Sequence, residues 1–189
     1  MMEGEVLRIL GESGAVQDGH FVLSSGLHSG RYFQLAQVLQ YPQQTELLCN
    51  ELALRLGDAQ AQVVAGPAFG GIIVAYELAR QLGVRSIFAE RRDGRMTLRR
   101  GFTVEPGERV LIADDVVTKG GSVLDLAELV RSLGAEVVGA GVIVDRSGGV
   151  EFGMRLEALA HVQVENYSPE SCPLCARGLA LSKPGSRNI

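Results

Sequence analysis

The sequence has no tryptophan, three cysteines and no long apolar run, and each of these features limits what the chain can be. A small, odd number of cysteines does not form a disulfide framework and agrees with a reducing compartment. No apolar run reaches the roughly 18 residues that a membrane span needs, and residues 1–14 lack the apolar centre of a signal peptide. We therefore expect a cytoplasmic protein that does not act at a membrane.

Positive charge is also in short supply, because 18 Lys and Arg face 22 Asp and Glu and give a formal net charge of −4. This balance offers no general attraction for nucleic acid, which is therefore not an expected partner. An anionic substrate would need a local positive patch. Residues 90–101 supply one, since this stretch holds five arginines against Glu90 and Asp93. The arginines are Arg91, Arg92, Arg95, Arg99 and Arg100.

Apolar runs alternate with amphipathic stretches along most of the chain, which is typical of strands alternating with helices. The predicted strands are 62–65, 86–89, 109–113 and 136–144, and the predicted helices are 3–13, 42–56, 72–82 and 123–133. The leucines expected on the buried stripe of the second helix are Leu47, Leu48, Leu52 and Leu56. This alternation predicts an α/β fold with an open, mostly parallel sheet and helices on both faces. A ligand site is expected beyond the carboxyl ends of the strands.

The most informative segment is 110–122, with the sequence VLIADDVVTKGGS. Asp114 and Asp115 are expected directly after a buried strand, where a parallel sheet opens into its ligand crevice. The following residues 118–122 offer backbone N–H groups and hydroxyl groups at the start of a helix, which suits an anion. The segment matches neither a Walker A loop nor a dinucleotide-binding fingerprint. It therefore predicts a phosphate-binding loop of another kind.

This order of residues resembles the ribose-phosphate motif of the type I phosphoribosyltransferase family. The resemblance implies that Asp114 and Asp115 are catalytic and face the ribose hydroxyl groups, while the loop wraps the 5-phosphate of 5-phosphoribosyl 1-diphosphate. Carboxylates there would stabilise the positive charge that develops on the ribose as diphosphate leaves. Mg²⁺ is implied as the cofactor on the diphosphate. The residues implied to bind this substrate are Asp114, Asp115, Val116, Val117, Thr118, Lys119, Gly120, Gly121, Ser122, Arg91 and Arg92.

Three further segments resemble the orotate-specific branch of this family. They are the flap SSGLHSGRYFQLA, which begins at Ser24, the loop GPAFGG at 66–71, and the strand end Val144-Asp145-Arg146. The resemblance implies that orotate is bound by Thr118, Arg146, Tyr32 and Phe33. A guanidinium group is an apt partner for the planar carboxylate of orotate. Arg146 could equally be a surface residue at a strand end, and the two aromatic residues could belong to the core.

The arginine-rich stretch 90–101 resembles the mobile catalytic loop of the family, which commonly closes over the diphosphate of the neighbouring subunit. A homodimer is therefore implied, although a solvated charged hairpin is the simpler interpretation of the same residues. Two positions depart from the family pattern. Ser24 and Gly70 stand where lysine is frequent, which leaves open which side chain completes the diphosphate site.

The resemblance also implies the type I phosphoribosyltransferase fold over a single domain, 1–189. We expect a core at about 41–149 and a small hood formed by about 1–40 and 150–189. The reaction implied is transfer of the phosphoribosyl group to orotate. Two other functions stay open, namely a purine or xanthine phosphoribosyltransferase and a regulatory protein that senses the ribose diphosphate.

The segment Cys172-Pro-Leu-Cys175 has the spacing of half a zinc site. The other residues that could complete such a site are Cys49, His20, His28 and His161, and none has the expected spacing. We therefore expect a reduced cysteine pair in a C-terminal turn and assign no metal ligands.

Overall fold

A computed structural model describes residues 1–23 and 25–184, so Ser24 of the flap prediction lies outside the described residues. The helices are α1 (Glu3–Glu12), α2 (Ala36–Leu39), α3 (Pro42–Leu56), α4 (Gly70–Leu82), α5 (Gly121–Ser132) and α6 (Pro173–Ala176). The strands are β1 (Val16–Val22), β2 (His28–Phe33), β3 (Val63–Pro67), β4 (Arg85–Arg92), β5 (Arg95–Leu98), β6 (Arg109–Val117), β7 (Glu136–Asp145), β8 (Leu156–His161) and β9 (Asn166–Tyr167).

The main sheet has six strands in the order β5-β4-β3-β6-β7-β8. The pairs from β4 through β8 are parallel, and only the edge strand β5 runs antiparallel to its neighbour. The predicted mostly parallel sheet is therefore confirmed. Because parallel strands end at the same edge, the segments after β3, β6 and β7 meet there.

Helices cover both faces of this sheet, as predicted. Successive residues of a strand point to opposite faces. On one face, Val64 and Leu111 pack with α1, α3 and α4, and on the other face Val63 and Ile112 pack with α5. Within the described residues, no helix is both long enough and apolar enough to cross a bilayer.

The N-terminal hairpin and a C-terminal strand form a second, antiparallel sheet in the order β1-β2-β9, which we call the hood. It is smaller than predicted. Strand β8 is an edge of the main sheet, and the α1 residues Val6 and Leu10 are fully buried in the main core. Parts of the predicted hood segments 1–40 and 150–189 therefore belong to the core, because their apolar residues complete one face of the main sheet.

The buried stripe of α3 differs from the prediction at one position. Leu47 is 54% exposed, whereas the buried residues of the helix are Thr45, Leu48, Cys49, Leu52 and Leu56. Residues four apart lie on one helix face, so Leu48, Leu52 and Leu56 share a stripe. Leu47 precedes that stripe by one residue and is turned about 100° away from it.

Candidate active site

Strand β6 delivers both acidic residues to the carboxyl edge of the sheet. It continues to Val117, which pairs with Asp145 of β7, so Asp114 and Asp115 lie within the strand. The prediction that they follow the strand is wrong in this detail, because pairing with β7 extends β6 past the point where pairing with β3 ends. The backbone N–H of Arg146 then donates to the Val117 carbonyl oxygen at 2.8 Å.

The carboxyl groups of Asp114, which is buried, and Asp115, which is half-buried, lie close together with no ion-paired cation among the described residues. Asp114 is 8% exposed and accepts a hydrogen bond from the Asp115 backbone N–H at 2.9 Å. Burial and the nearby charge of Asp115 raise the pKa of Asp114 well above its ordinary value. Burial also raises the pKa of Asp115. Within residues 1–23 and 25–184, neither acid forms an ion pair, so the site favours a positively charged ligand.

The first residues of α4 pack against this acid pair. A β-carbon added to Gly70 would lie 2.2 Å from Oδ2 of Asp115, and one added to Gly71 would lie 3.0 Å from Oδ1 of Asp114. Contacts as short as the first are sterically impossible without movement. The absence of side chains therefore lets the N-terminus of α4 approach the acids, where its dipole favours their ionised form.

The loop that is predicted to bind phosphate lies between β6 and α5. Gly120 precedes the helix with φ +78°, and a β-carbon there would lie 2.6 Å from a ring carbon of Phe152. Glycine is therefore required for both conformation and space. The N–H groups of the first turn of α5 have no acceptor within the helix and are free for an anion. No pattern in the sequence indicates Phe152, because it lies in an irregular segment without periodicity.

A cleft of about 280 Å³ opens at this edge of the sheet. Its wall consists of Arg91, Asp114, Val116, Val117, Thr118, Gly120, Gly121, Ser122 and Val123. One buried acid, one arginine and the glycine loop thus face a common space. Of the residues predicted to bind the ribose diphosphate, Asp115, Lys119 and Arg92 lie outside this wall.

Most of the arginine-rich stretch forms a β-hairpin of β4 and β5, which does not decide between its two interpretations. Asp93 and Gly94 make the two-residue turn, with φ of 50° and 79°, as a type I′ turn requires. The Arg91 guanidinium binds Asp125 of α5 and donates to the Gly94 carbonyl oxygen at 3.0 Å. Arg92 turns outward toward Asp93 at 3.7 Å. Of the two arginines predicted to bind the ribose diphosphate, Arg91 alone is part of the cleft wall.

The remaining arginines of the hairpin do not approach the cleft wall in this conformation. Arg99 and Arg100 both pair with Glu90, at 3.6 and 2.8 Å. Arg95 lies opposite Arg92 beside the turn. The hairpin therefore carries a cluster of exposed positive charge next to the cleft.

Arg146 lies against the hood on the other side of Val117. Its guanidinium carbon stands 4.7 Å from the centroid of the Phe33 ring, a cation–π distance. Burial lowers the pKa of Arg146, and its Nε is buried without a hydrogen-bond partner among the described residues. Phe33 is part of the main core, and Tyr32 packs beside Phe21 at 5.7 Å. Phe33 thus supports the guanidinium group, which has no anionic partner in residues 1–23 and 25–184.

Comparisons with known proteins agree with this arrangement. A family model described as phosphoribosyl transferase domain matches residues 37–153. The orotate phosphoribosyltransferases of Desulforamulus reducens and Pelotomaculum thermopropionicum are each 57% identical to the chain over 190 residues, covering 100% of both proteins. The chain belongs to the orotate phosphoribosyltransferase family. The crystal structure of orotate phosphoribosyltransferase from Aeropyrum pernix is also similar, with 30% identity, a TM-score of 0.71, and coverage of 83% of this chain and 93% of that one.

In this member of the orotate phosphoribosyltransferase family, the predicted site residues form two groups. The first group lines the cleft and includes Arg91, Asp114 and the loop residues Thr118, Gly120, Gly121 and Ser122. The second group is Arg146 together with Tyr32 and Phe33 of the hood strand β2. The backbone hydrogen bond from Arg146 to Val117 joins the two groups. The individual roles of these residues in binding and catalysis stay predictions.

Gly70 provides a test of the packing behind the acid pair. We expect Gly70→Ala to lower kcat/KM by about 10-fold, equivalent to ~1.4 kcal/mol, because the new β-carbon must displace the Asp115 carboxyl group. Gly11→Ala is the matched control, since a β-carbon at Gly11 of α1 meets nothing within 4 Å. Steady-state kinetics and circular dichroism of both variants make the comparison. Equal activity of the two variants would contradict the proposed packing.

Proposed function

We propose that this chain transfers the phosphoribosyl group of 5-phosphoribosyl 1-diphosphate to orotate, giving orotidine 5′-monophosphate and diphosphate in pyrimidine biosynthesis. The observation that carries this proposal is the half-buried Arg146 guanidinium, which has no anionic partner in the described residues and lies next to the cleft. A buried donor without a partner is costly, and a planar carboxylate would satisfy it with two parallel hydrogen bonds. Orotate carries such a carboxylate.

The acid pair accounts for the chemistry at the ribose. As the bond between the anomeric carbon and diphosphate breaks, the ribose gains positive charge before the carbon–nitrogen bond to the base forms. The uncompensated carboxyl groups of Asp114 and Asp115 interact more strongly with this charged state than with the neutral substrate. Preorganised charge of this kind is often the largest contribution to catalysis. The loop 118–122 holds the 5-phosphate and so fixes the sugar against the acids.

Arg91 is the proposed partner of the diphosphate within this chain. It is the cation in the cleft wall, and Gly70 leaves no room for a side chain at the position where lysine is frequent in the family. The carboxylate oxygens of the acid pair are also the hard ligands that Mg²⁺ prefers, and no cation of the part of the chain that the structure describes pairs with them. Magnesium would neutralise charge on the leaving diphosphate. Asp114, in the cleft wall, is the residue best placed to hold it.

We further propose a cytoplasmic homodimer of single-domain subunits. Helix α4 exposes two apolar side chains, Ile73 and Tyr76, and Tyr76 is 65% exposed. Phe69, just before the helix, is also exposed. Their spacing puts them on one helix face, and a second copy of the chain would cover it. The exposed arginines of the β4–β5 hairpin could then complete the neighbouring site. The mass in solution, measured by light scattering, tests this assembly.

The choice of acceptor base is tested by an activity assay with orotate, hypoxanthine and xanthine. We expect turnover with orotate alone, because the purines have no carboxylate to satisfy Arg146. Release of diphosphate and the change in ultraviolet absorbance of the base report the reaction. Turnover with a purine and none with orotate would overturn the proposal. No turnover with any of the three bases would instead favour the regulatory interpretation.

A further inference from the structure

Two histidines of the N-terminal hairpin meet two cysteines of the C-terminal segment in the hood. These residues are His20 of β1, His28 of β2, Cys172 and Cys175. One nitrogen or sulfur atom from each lies within 4.8 Å of all the others. His20, His28 and Cys172 are buried. The four side chains thus form a compact cluster of nitrogen and sulfur, separate from the proposed active site.

The distances within this cluster agree with tetrahedral coordination of one metal ion. Zinc lies about 2.3 Å from thiolate sulfur and about 2.0 Å from imidazole nitrogen, so neighbouring nitrogen and sulfur ligands are about 3.5 Å apart. The Sγ atoms of Cys172 and Cys175 are each 3.6 Å from Nε2 of His20. Cys175 Sγ is 3.3 Å from Nδ1 of His28. Nε2 of His20 and Nδ1 of His28 are 2.9 Å apart, and the remaining pairs of ligand atoms lie within 4.8 Å. Small side-chain movements would bring all four atoms to one ion.

The surroundings of His20 favour a ligand role. Its Nδ1 is 2.9 Å from the Leu179 carbonyl oxygen, which can only accept, so Nδ1 carries the proton. In the neutral ring, Nε2 then presents its lone pair to the cluster. Histidines that bind a metal through one ring nitrogen usually donate a hydrogen bond from the other one, and a backbone carbonyl oxygen is a common acceptor.

Besides two short backbone pairings with the N-terminal hairpin, one of them between β9 and β2, the C-terminal segment has little to hold it in place. From 161 to 184, Cys172 is the one buried residue, at 3% exposure. Backbone hydrogen bonds of Ser182 with His20 and Val22, at 2.8 and 2.9 Å, tie its end to β1. Ordering more than a dozen residues costs conformational entropy that so little apolar burial does not offset. Metal coordination is a usual remedy for segments too small to form a core.

We propose that His20, His28, Cys172 and Cys175 bind a structural zinc ion that fastens the C-terminal segment to the N-terminal hairpin. Two thiolates and two imidazoles form a closed set with no position left for a substrate, which is typical of structural zinc. This mixture of soft and intermediate ligands also favours zinc over magnesium or calcium. The proposal does not depend on the transferase assignment.

The site would also affect the base-binding side of the hood. Strand β2 carries His28 at its start and Tyr32 and Phe33 at its end. An ion at the start of β2 would therefore limit the movement of the strand that supports Arg146. Loss of the ion is expected to loosen the hood before it affects the main core.

The direct test is metal analysis of untagged protein purified with a reducing agent. We expect elemental mass spectrometry to find about one zinc ion per chain in the wild-type protein. The Cys175→Ala variant should have lost that zinc. Cys49→Ala is the matched control, since Cys49 is buried in the main core and lies outside the cluster. It should keep its zinc. Retention of full zinc by Cys175→Ala, or equal loss in Cys49→Ala, would overturn the assignment.

A second measurement uses the wild-type chain and does not depend on variants that fold. Zinc is removed with a chelator and cobalt(II) is added under reducing conditions. We expect the absorption bands of tetrahedral cobalt with thiolate ligands, together with restored protection of the C-terminal segment from proteolysis. A wild-type protein that contains no zinc and gives no such bands would show that the cluster is held by hydrogen bonds alone.

Discussion

Replacing Asp114 and Asp115 together with asparagine is expected to abolish phosphoribosyl transfer while the fold remains intact. Asparagine keeps the size and hydrogen-bonding capacity of each side chain. It removes the negative charge that is proposed to stabilise the developing ribosyl cation. Loss of one such electrostatic interaction typically costs about 10²–10³ in kcat. Because the two acids act on one centre, their separate effects are not expected to add.

The same variant should be more stable than the wild type at neutral pH. The fold raises the pKa of both acids, so it disfavours their ionised forms relative to the unfolded chain. Below the ordinary aspartate pKa of about 3.9, both states are protonated and no penalty exists. The penalty grows as pH rises through that value and is complete above the raised pKa. Asparagine removes it, so the gain in Tm should be largest near pH 7 and shrink on acidification.

Thermal unfolding at several pH values and a steady-state assay measure the two effects separately. Asp93→Asn is the matched control, because Asp93 lies in the exposed turn of the hairpin and its side chain is 93% exposed. It should change neither activity nor stability appreciably. A double variant that keeps normal turnover would remove the acids from the mechanism. A loss of activity accompanied by a lower Tm would indicate damage to the fold instead.

The parts of the molecule that could be predicted from sequence are those specified by neighbouring residues. One continuous segment, from Val110 through the loop 118–122, contains the residues that predict a buried strand, a turn that requires glycine and the start of a helix. Strand–helix alternation then determines where this loop lies, because parallel strands all end at one edge of the sheet. The acid pair and the phosphate loop were therefore predictable without knowledge of distant contacts.

The parts that were missed depend on residues far apart in the chain. His20 and His28 lie more than 140 residues before Cys172, and no spacing rule joins them until β2 pairs with β9. The predicted hood segment 150–189 includes β8, which is an edge strand of the main sheet. Its short apolar run is not followed by a recognisable loop motif, so the sequence does not show that it belongs to this sheet. Likewise, the Phe33 ring beneath Arg146 could not be distinguished from ordinary core packing. These features arise from tertiary contacts alone.

Arg146→Ala is expected to raise the KM for orotate by roughly 100-fold, or ~2.7 kcal/mol, with little change in the KM for 5-phosphoribosyl 1-diphosphate. Arg146 lies over the Phe33 ring, and its buried Nε has no partner among the described residues. Its removal would leave the orotate carboxylate without its proposed donor. Arg146→Lys should recover only part of the loss, since an ammonium group cannot form two parallel hydrogen bonds.

The matched control for this change is Arg155→Ala, which removes an arginine that binds Asp58 at 2.8 Å on the exposed surface. It should leave both KM values unchanged. Substrate-saturation curves for each substrate in turn separate the two effects. If Arg146→Ala raised both KM values equally, the residue would hold the hood in place and not contact the base. If it raised only the KM for the ribose diphosphate, Arg146 would belong to the cleft, and the preference for orotate would need another source.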